Sequence, residues 1–258
     1  MANKGSRARG GVSGARGQAS ATARTATGTK KAAAKKATRA RAEGKPRLAR
    51  TPERAAEIYD VLAATYPDAH CALDHAGPFQ LLAATILSAQ CTDKRVNMVT
   101  PALFARYPDP PALARAKQDD VEEIIRTTGF FRNKATNLIA MAGALVDRHG
   151  GAVPAGMDAL VALPGVGRKT ANVVLGNAFA RNEGIVVDTH VARVSRRLGL
   201  TTEIDPVKIE SSLIPLFPRE RWTMLSHLLI EHGRQICDAK KPRCAVCPLV
   251  ALCPSAAP

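Results

Sequence analysis

Four of the six cysteines in this 258-residue chain fall within its last 22 residues. Cys237, Cys244, Cys247 and Cys253 are spaced C-x6-C-x2-C-x5-C. This crowding constrains the fold more than any other feature of the sequence. No apolar segment follows the N-terminus, so a secretory signal is not expected, and disulfides belong to oxidising compartments. The four thiols are therefore read as ligands of a metal centre. Structural zinc tends to draw on two Cys-x2-Cys-like pairs. Here one such pair is flanked by a single cysteine on either side. The spacing favours a [4Fe–4S] cluster, in which four thiolates wrap one cube, and leaves zinc as the alternative. Cys71 and Cys91 lie in apolar surroundings and read as buried hydrophobes.

The rest of the chain is patterned for helices. "TPERAAEIYDVLAATYP" (51–67) has Thr51 as a cap, Pro52 at the first helical position and Glu53 in the first turn. "PFQLLAATILSAQ" (78–90) is apolar nearly all round, as a buried helix is. Further helical patterns run over 93–108, 119–129, 133–151, 191–198, 206–216 and 219–236. The run Ile185–Val187 is too short to build a sheet. The fold class expected is all-α. No apolar run approaches the roughly 18–20 residues of a membrane span, so no membrane association is expected.

The formal net charge is +15, and its location matters more than its size. Residues 1–50 hold 14 Lys/Arg and one acid, Glu43; residues 51–258 hold 23 Lys/Arg and 21 acids. The basic character belongs to the tail. Its composition of Ala, Gly, Thr, Ser, Lys and Arg cannot bury enough surface to offset ordering entropy, so 1–50 is read as disordered. "KKAAAKKATRAR" (30–41) would bind phosphates by counterion release, without sequence preference. A solvated solubility tail and an Arg-rich transit peptide are the alternatives. The Ala/Arg bias also suits a GC-rich bacterial genome, and the expected location is a bacterial cytoplasm, at the nucleoid.

"LPGVGRKTA" (163–171) carries the second motif. Pro164-Gly165-Val166-Gly167 cannot continue a helix, and the glycines let another backbone approach closely. The "MDALVALPGVGRKTANVVLGNAF" stretch (157–179) reads as helix, tight hairpin, helix. Exposed N–H groups of the hairpin and the following helix would then form an anion site suited to a DNA phosphate. A plain turn with Val166 packed inward is the alternative.

Taken in order, "LSAQCTD" (87–93), "LPGVGRKTA", Asp188 in "VVDTH" and C-x6-C-x2-C-x5-C resemble the endonuclease III family of DNA glycosylases. The resemblance covers about residues 53–254. It implies a helix-hairpin-helix glycosylase fold. A six-helix barrel domain would span 71–182. A [4Fe–4S] domain would combine 51–70 with 183–258 on ligands Cys237, Cys244, Cys247 and Cys253. It also implies a monomer acting on double-stranded DNA that holds a damaged base or abasic site. Such enzymes flip the damaged base out of the duplex, remove oxidised pyrimidines and cut the strand by β-elimination. Lys169 matches the nucleophile and Asp188 the aspartate that assists it; a surface lysine and a helix-capping aspartate before Thr189 are the alternatives. Gln90 and Phe130 match wedges that fill the hole left by the base, with core packing the alternative for Phe130. Gly165, Val166, Gly167 and Arg168, with Lys240 and Lys241, are the expected DNA contacts. His190 is read as structural.

A lysine must be neutral to attack. At an ordinary pKa of about 10.4, roughly one in 2,500 is neutral at pH 7. The N-terminus of a helix disfavours the ammonium by only about 0.3–1 kcal/mol, so desolvation in a closed pocket is expected to supply more. Related monofunctional mismatch glycosylases lack the lysine, and the adenine-specific branch needs a carboxylate before the Gln motif. Residues 76–92 contain no Asp or Glu. A non-enzymatic DNA-binding protein and an iron–sulfur electron carrier are the readings from other classes.

Overall fold

In the computed structural model, residues 49–257 are described, and every regular element among them is a helix. The all-α expectation holds. The reading of the basic tail falls, but for its last two residues, outside the described residues.

The helices start where their sequences supply caps. α1 (Pro52–Thr65) opens on Thr51, whose hydroxyl accepts the Arg54 N–H at 3.3 Å. α2 (Pro78–Leu87) is buried over Leu81–Leu87, as its unbroken apolar sequence requires. α3 (Asp93–Arg106) is capped by Thr92. α4 (Pro110–Ala114), capped by Asp109, was not legible: five residues are too few to show a period. α5 (Gln118–Ile125) runs into a 3₁₀ turn at 126–128 and stops at Gly129, φ +70°. α6 (Phe131–His149) begins two residues earlier than its pattern suggests, because Phe130 adopts left-handed backbone at φ +47° and turns the chain into it. α7 (Met157–Val161) and α8 (Arg168–Ala178) flank the hairpin. α9 (Thr189–Arg197), α10 (Pro206–Leu213) and α11 (Trp222–Gln235) follow. Ile185–Val187 is buried but forms no strand.

Two hydrophobic cores organise these helices. The first gathers side chains of α2, α3, α5, α6 and α8 with Leu113 and Leu160 from the two short helices. The second gathers α1, α9, α10 and α11 with Leu249 of the C-terminal loop. Leu81, Leu138 and Leu145 in the first, and Leu62, Leu213 and Leu229 in the second, have no exposed surface. Each contributes about 1.5–3 kcal/mol by burial. Because α1 packs on α11, the chain starts in the second core, crosses to the first after Ala69 and returns through Ile185. α8 packs on α2 in one core and touches α11 of the other. The seam between the cores therefore runs past the N-terminus of α8.

Candidate functional site

A cavity of about 430 Å³ opens on that seam, and a shallower groove continues from it. Ser88, Gln90, Asp93, Lys169, Asp188 and Arg234 wall both. They come from four separate stretches of chain, from the end of α2 to the end of α11. Asp93 and Arg234 join the two cores at the mouth as an ion pair. The interior is closed by His70, Asn177 and His227. The Asn177 amide donates to the Val173 carbonyl at 2.8 Å, so its Oδ1 faces His227 Nε2, also at 2.8 Å. Nε2 therefore carries the proton, and burial pushes the imidazole down to about 4.

Lys169 stands in the first turn of α8. Gly167 caps this helix without a side-chain hydrogen bond, so the N–H groups of Arg168, Lys169 and Thr170 have no acceptor within the helix. Lys169 is exposed and pairs with no carboxylate among the described residues. The closed pocket expected around it is an open cleft. Removal of this amine from water must come from whatever covers the cleft.

Asp188 does two things that the sequence presented as alternatives. It caps α9, with Oδ1 accepting the Val191 N–H at 2.8 Å. It also walls the cavity beside Lys169. The cap fixes the carboxylate's direction and keeps Oδ1 off the lysine. Oδ2 makes no hydrogen bond among the described residues.

The hairpin departs from its expected form at two residues. Val166 is buried in the first core, and its N–H donates to the Leu163 carbonyl at 3.1 Å. It offers nothing to a phosphate, because the apolar side chain anchors the turn from below. Arg168 turns its guanidinium onto Glu210, 3.3 Å away, and does not wall the cleft. Helical geometry places it one residue away from the face Lys169 uses. Gly165 and Gly167 are both exposed, as a phosphate contact needs. Gly165 has φ +74°, and a Cβ there would lie 2.9 Å from Asn137 Cβ. Gly167 has no such constraint; its N-cap position leaves the helix N–H groups open.

Gln90 and Phe130 are both exposed tips in left-handed backbone, at φ +52° and +47°. Phe130 is 65% exposed, which excludes the core alternative. Gln90 walls the cavity mouth. Lys240 and Lys241 are exposed on the C-terminal loop, their N–H groups held by the Asp238 carboxylate at 2.8 and 3.2 Å. His190 bonds Arg193 at 3.1 Å, as a structural residue does, and also walls the groove.

Cys237, Cys244, Cys247 and Cys253 line one small cavity behind α11. Among the described residues no three His, Cys, Asp or Glu side chains are gathered closely enough to hold a single metal ion. Four cysteines around one cavity, with no carboxylate among its lining, are a donor set whose chemistry fits a four-iron cube. Arg197 Nη1 lies 3.3 Å from Cys237 Sγ, and His232 Nε2 lies 3.6 Å from Cys247 Sγ. His70, Asn177, His227 and the Asp93–Arg234 pair were not found from sequence. Each is an isolated polar residue in a helix or loop, and only the fold brings them to one wall.

The HhH-GPD superfamily model for base excision DNA repair proteins matches residues 83–219. An endonuclease III of Synechocystis is 53% identical over 81% of this chain and 96% of its own length. Two solved structures, a non-covalent endonuclease III–DNA complex and a trapped endonuclease III–DNA covalent intermediate, are each 43% identical with TM-score 0.76. They cover 80% of this chain and 96% and 97% of theirs. A family model that spans both the cleft and the hairpin, and relatives matched over nearly their whole length, place this chain in the endonuclease III family of base excision DNA repair proteins.

Proposed function

We propose that Lys169 and Asp188 carry the chemistry of this endonuclease III, a DNA glycosylase and AP lyase for oxidised pyrimidines. The observation that carries this reading is their meeting in one cavity wall, with the lysine unpaired and the carboxylate held by its own helix. The neutral Lys169 amine attacks C1′ of the damaged nucleotide, and the base leaves with the electron pair of the glycosidic bond. Loss of the amine proton and opening of the sugar give a Schiff base. Removal of a C2′ proton then expels the 3′ phosphate. Asp188 Oδ2 faces the positive charge that develops on the sugar and accepts a proton. A carboxylate paired to the lysine would instead hold the ammonium.

Duplex DNA with a damaged base or abasic site is the partner, bound by a monomer. Its phosphate meets the open N–H groups at Gly167 and the start of α8. The flipped base enters the cavity past His70 and His227, while Gln90 and Phe130 fill the space it leaves. The covering duplex supplies the desolvation that the open cleft does not. Cys237, Cys244, Cys247 and Cys253 would hold a [4Fe–4S] cluster that folds the C-terminal loop and presents Lys240 and Lys241 to the backbone. We also propose 71–182 and 51–70 with 183–258 as two domains, a division supported by the membership of the two cores. The basic tail is proposed as a non-specific phosphate-binding arm. No described helix is long and apolar enough to cross a membrane.

Borohydride trapping on a panel of duplexes tests the reading. Covalent adducts should form on thymine glycol and abasic duplexes. Base release without an adduct would indicate a monofunctional glycosylase, and binding alone a non-enzymatic protein.

A further inference from the structure

Lys134 is a buried lysine, 5% exposed, and no carboxylate pairs with it among the described residues. It stands in the first turn of α6, where the helix dipole disfavours a cation. Burial lowers its pKa. An apolar residue would fill the same space without desolvating a charge. What the ammonium does instead is donate to two backbone carbonyls, Leu87 O at 2.9 Å and Thr128 O at 2.7 Å.

Those two carbonyls close the two elements that lead to the exposed tips. Leu87 ends α2, three residues before Gln90; Thr128 ends the 3₁₀ turn, two residues before Phe130. Non-glycine residues with positive φ occur at Gln90, Phe130 and Ala180 among the described residues, so two of the three lie just beyond the anchor points of Lys134. Left-handed backbone costs an L-residue about 1–2 kcal/mol and persists where the surroundings over-determine it. One ammonium thus ties together the bases of both strained tips.

We propose that Lys134 is a positioning residue that fixes the two wedges relative to each other before DNA arrives. This rests on the reading of Gln90 and Phe130 as the residues that enter the duplex. With the clamp made, a duplex meets two ordered tips. Without it, binding must order two loops as well. Lys134 takes no part in the reaction at the sugar, because its amine is buried and committed to carbonyls.

The test uses the full chain with its metal centre loaded and the variant Lys134→Met. Two substrates are compared: a thymine glycol duplex, and a single-stranded oligonucleotide with an abasic site, which has no opposite strand to enter. Single-turnover excision from the duplex should fall about 10- to 100-fold, while strand cleavage on the single strand stays within about twofold. In a Gln90→Ala/Phe130→Ala background, Lys134→Met should add no further loss, because residues acting as one unit are not additive. Lys134→Gln, which keeps an amide donor, carries the same comparison if the methionine variant does not fold. Equal losses on both substrates, additive losses in the triple variant, or an unchanged duplex rate would each overturn the proposal. Failure of the unmodified protein to form a borohydride adduct on an abasic duplex would instead count against Lys169 chemistry.

Discussion

At the scale of single residues, one side chain often serves the fold and the reaction together. Asp188 is the clearest case. Its Oδ1 caps α9, and an asparagine can make the same cap. Asp188→Asn should therefore keep the thermal midpoint of the parent while single-turnover base release slows about 10²–10⁴-fold. Asp188→Ala should lose about 1 kcal/mol of stability as well. A denaturation curve and a quench assay on each variant separate the two effects. His227 makes a prediction about pH. Burial holds its imidazole at about 4, well below the ordinary 6.5, so the unfolded chain takes up the proton first as pH falls. The stability it contributes is whole above about pH 6.5 and is lost progressively towards pH 4. Between pH 7 and pH 5 the loss should be about 2 kcal/mol, less any relief from solvent reaching the cavity. Urea midpoints at the two pH values check it: His227→Gln should show a loss smaller by that amount.

At the scale of elements, the hairpin and α9 link structure to the site. The two hairpin glycines are not equivalent. Gly165→Ala forces a Cβ to 2.9 Å from Asn137 in left-handed backbone and should cost about 1–2 kcal/mol in a denaturant titration. Gly167→Ala meets nothing within 4 Å. It should cost less stability and still weaken duplex binding, because the methyl group covers the open N–H groups. α9 is capped by Asp188, and it carries Arg193 at its middle and Arg197 at its far end. These donate to the carbonyls of Cys237, Asp238 and Ala239 at 2.6–3.3 Å. One helix thus spans from the proposed carboxylate to the first cysteine of the proposed cluster. Periodicity and caps made most of these elements legible: α1, α2 and α9 start at Thr51, Pro78 and Asp188, where a cap or proline announces them. α4 was hidden by its length. The pairing of Arg168 with Glu210 was hidden because its partner lies 42 residues away and shows no local signal. Lys134 could have been noticed: it falls among Ala135, Leu138, Met141 and Leu145 on the apolar face of α6. A single charge on such a face looks like noise until the carbonyls it reaches are known.

At the scale of the whole molecule, two cores meet along a seam, and every proposed reacting group lies on it. The spacing of motifs in the sequence pointed to that site through family likeness; the cavity, its histidines and the ion pair at its mouth emerge only from packing. The basic tail adds a separate property. If about five of its 14 basic residues meet phosphates at once, removing 1–50 should flatten the salt dependence of duplex binding by about 4–5 log units per log unit of salt. Single-turnover chemistry at saturating enzyme should not change, because the proposed catalytic groups lie beyond it; an unchanged salt slope would remove the tail from DNA binding. The central claim is that Lys169 is the amine that bonds to the sugar, and peptide mapping tests it most directly. The full chain is trapped with borohydride on an abasic duplex and digested, and the residue carrying the sugar remnant is identified by mass spectrometry. The account expects the adduct on Lys169 and no adduct from Lys169→Gln. An adduct on Lys134, Lys240 or any other amine, or undiminished trapping by the glutamine variant, would contradict it.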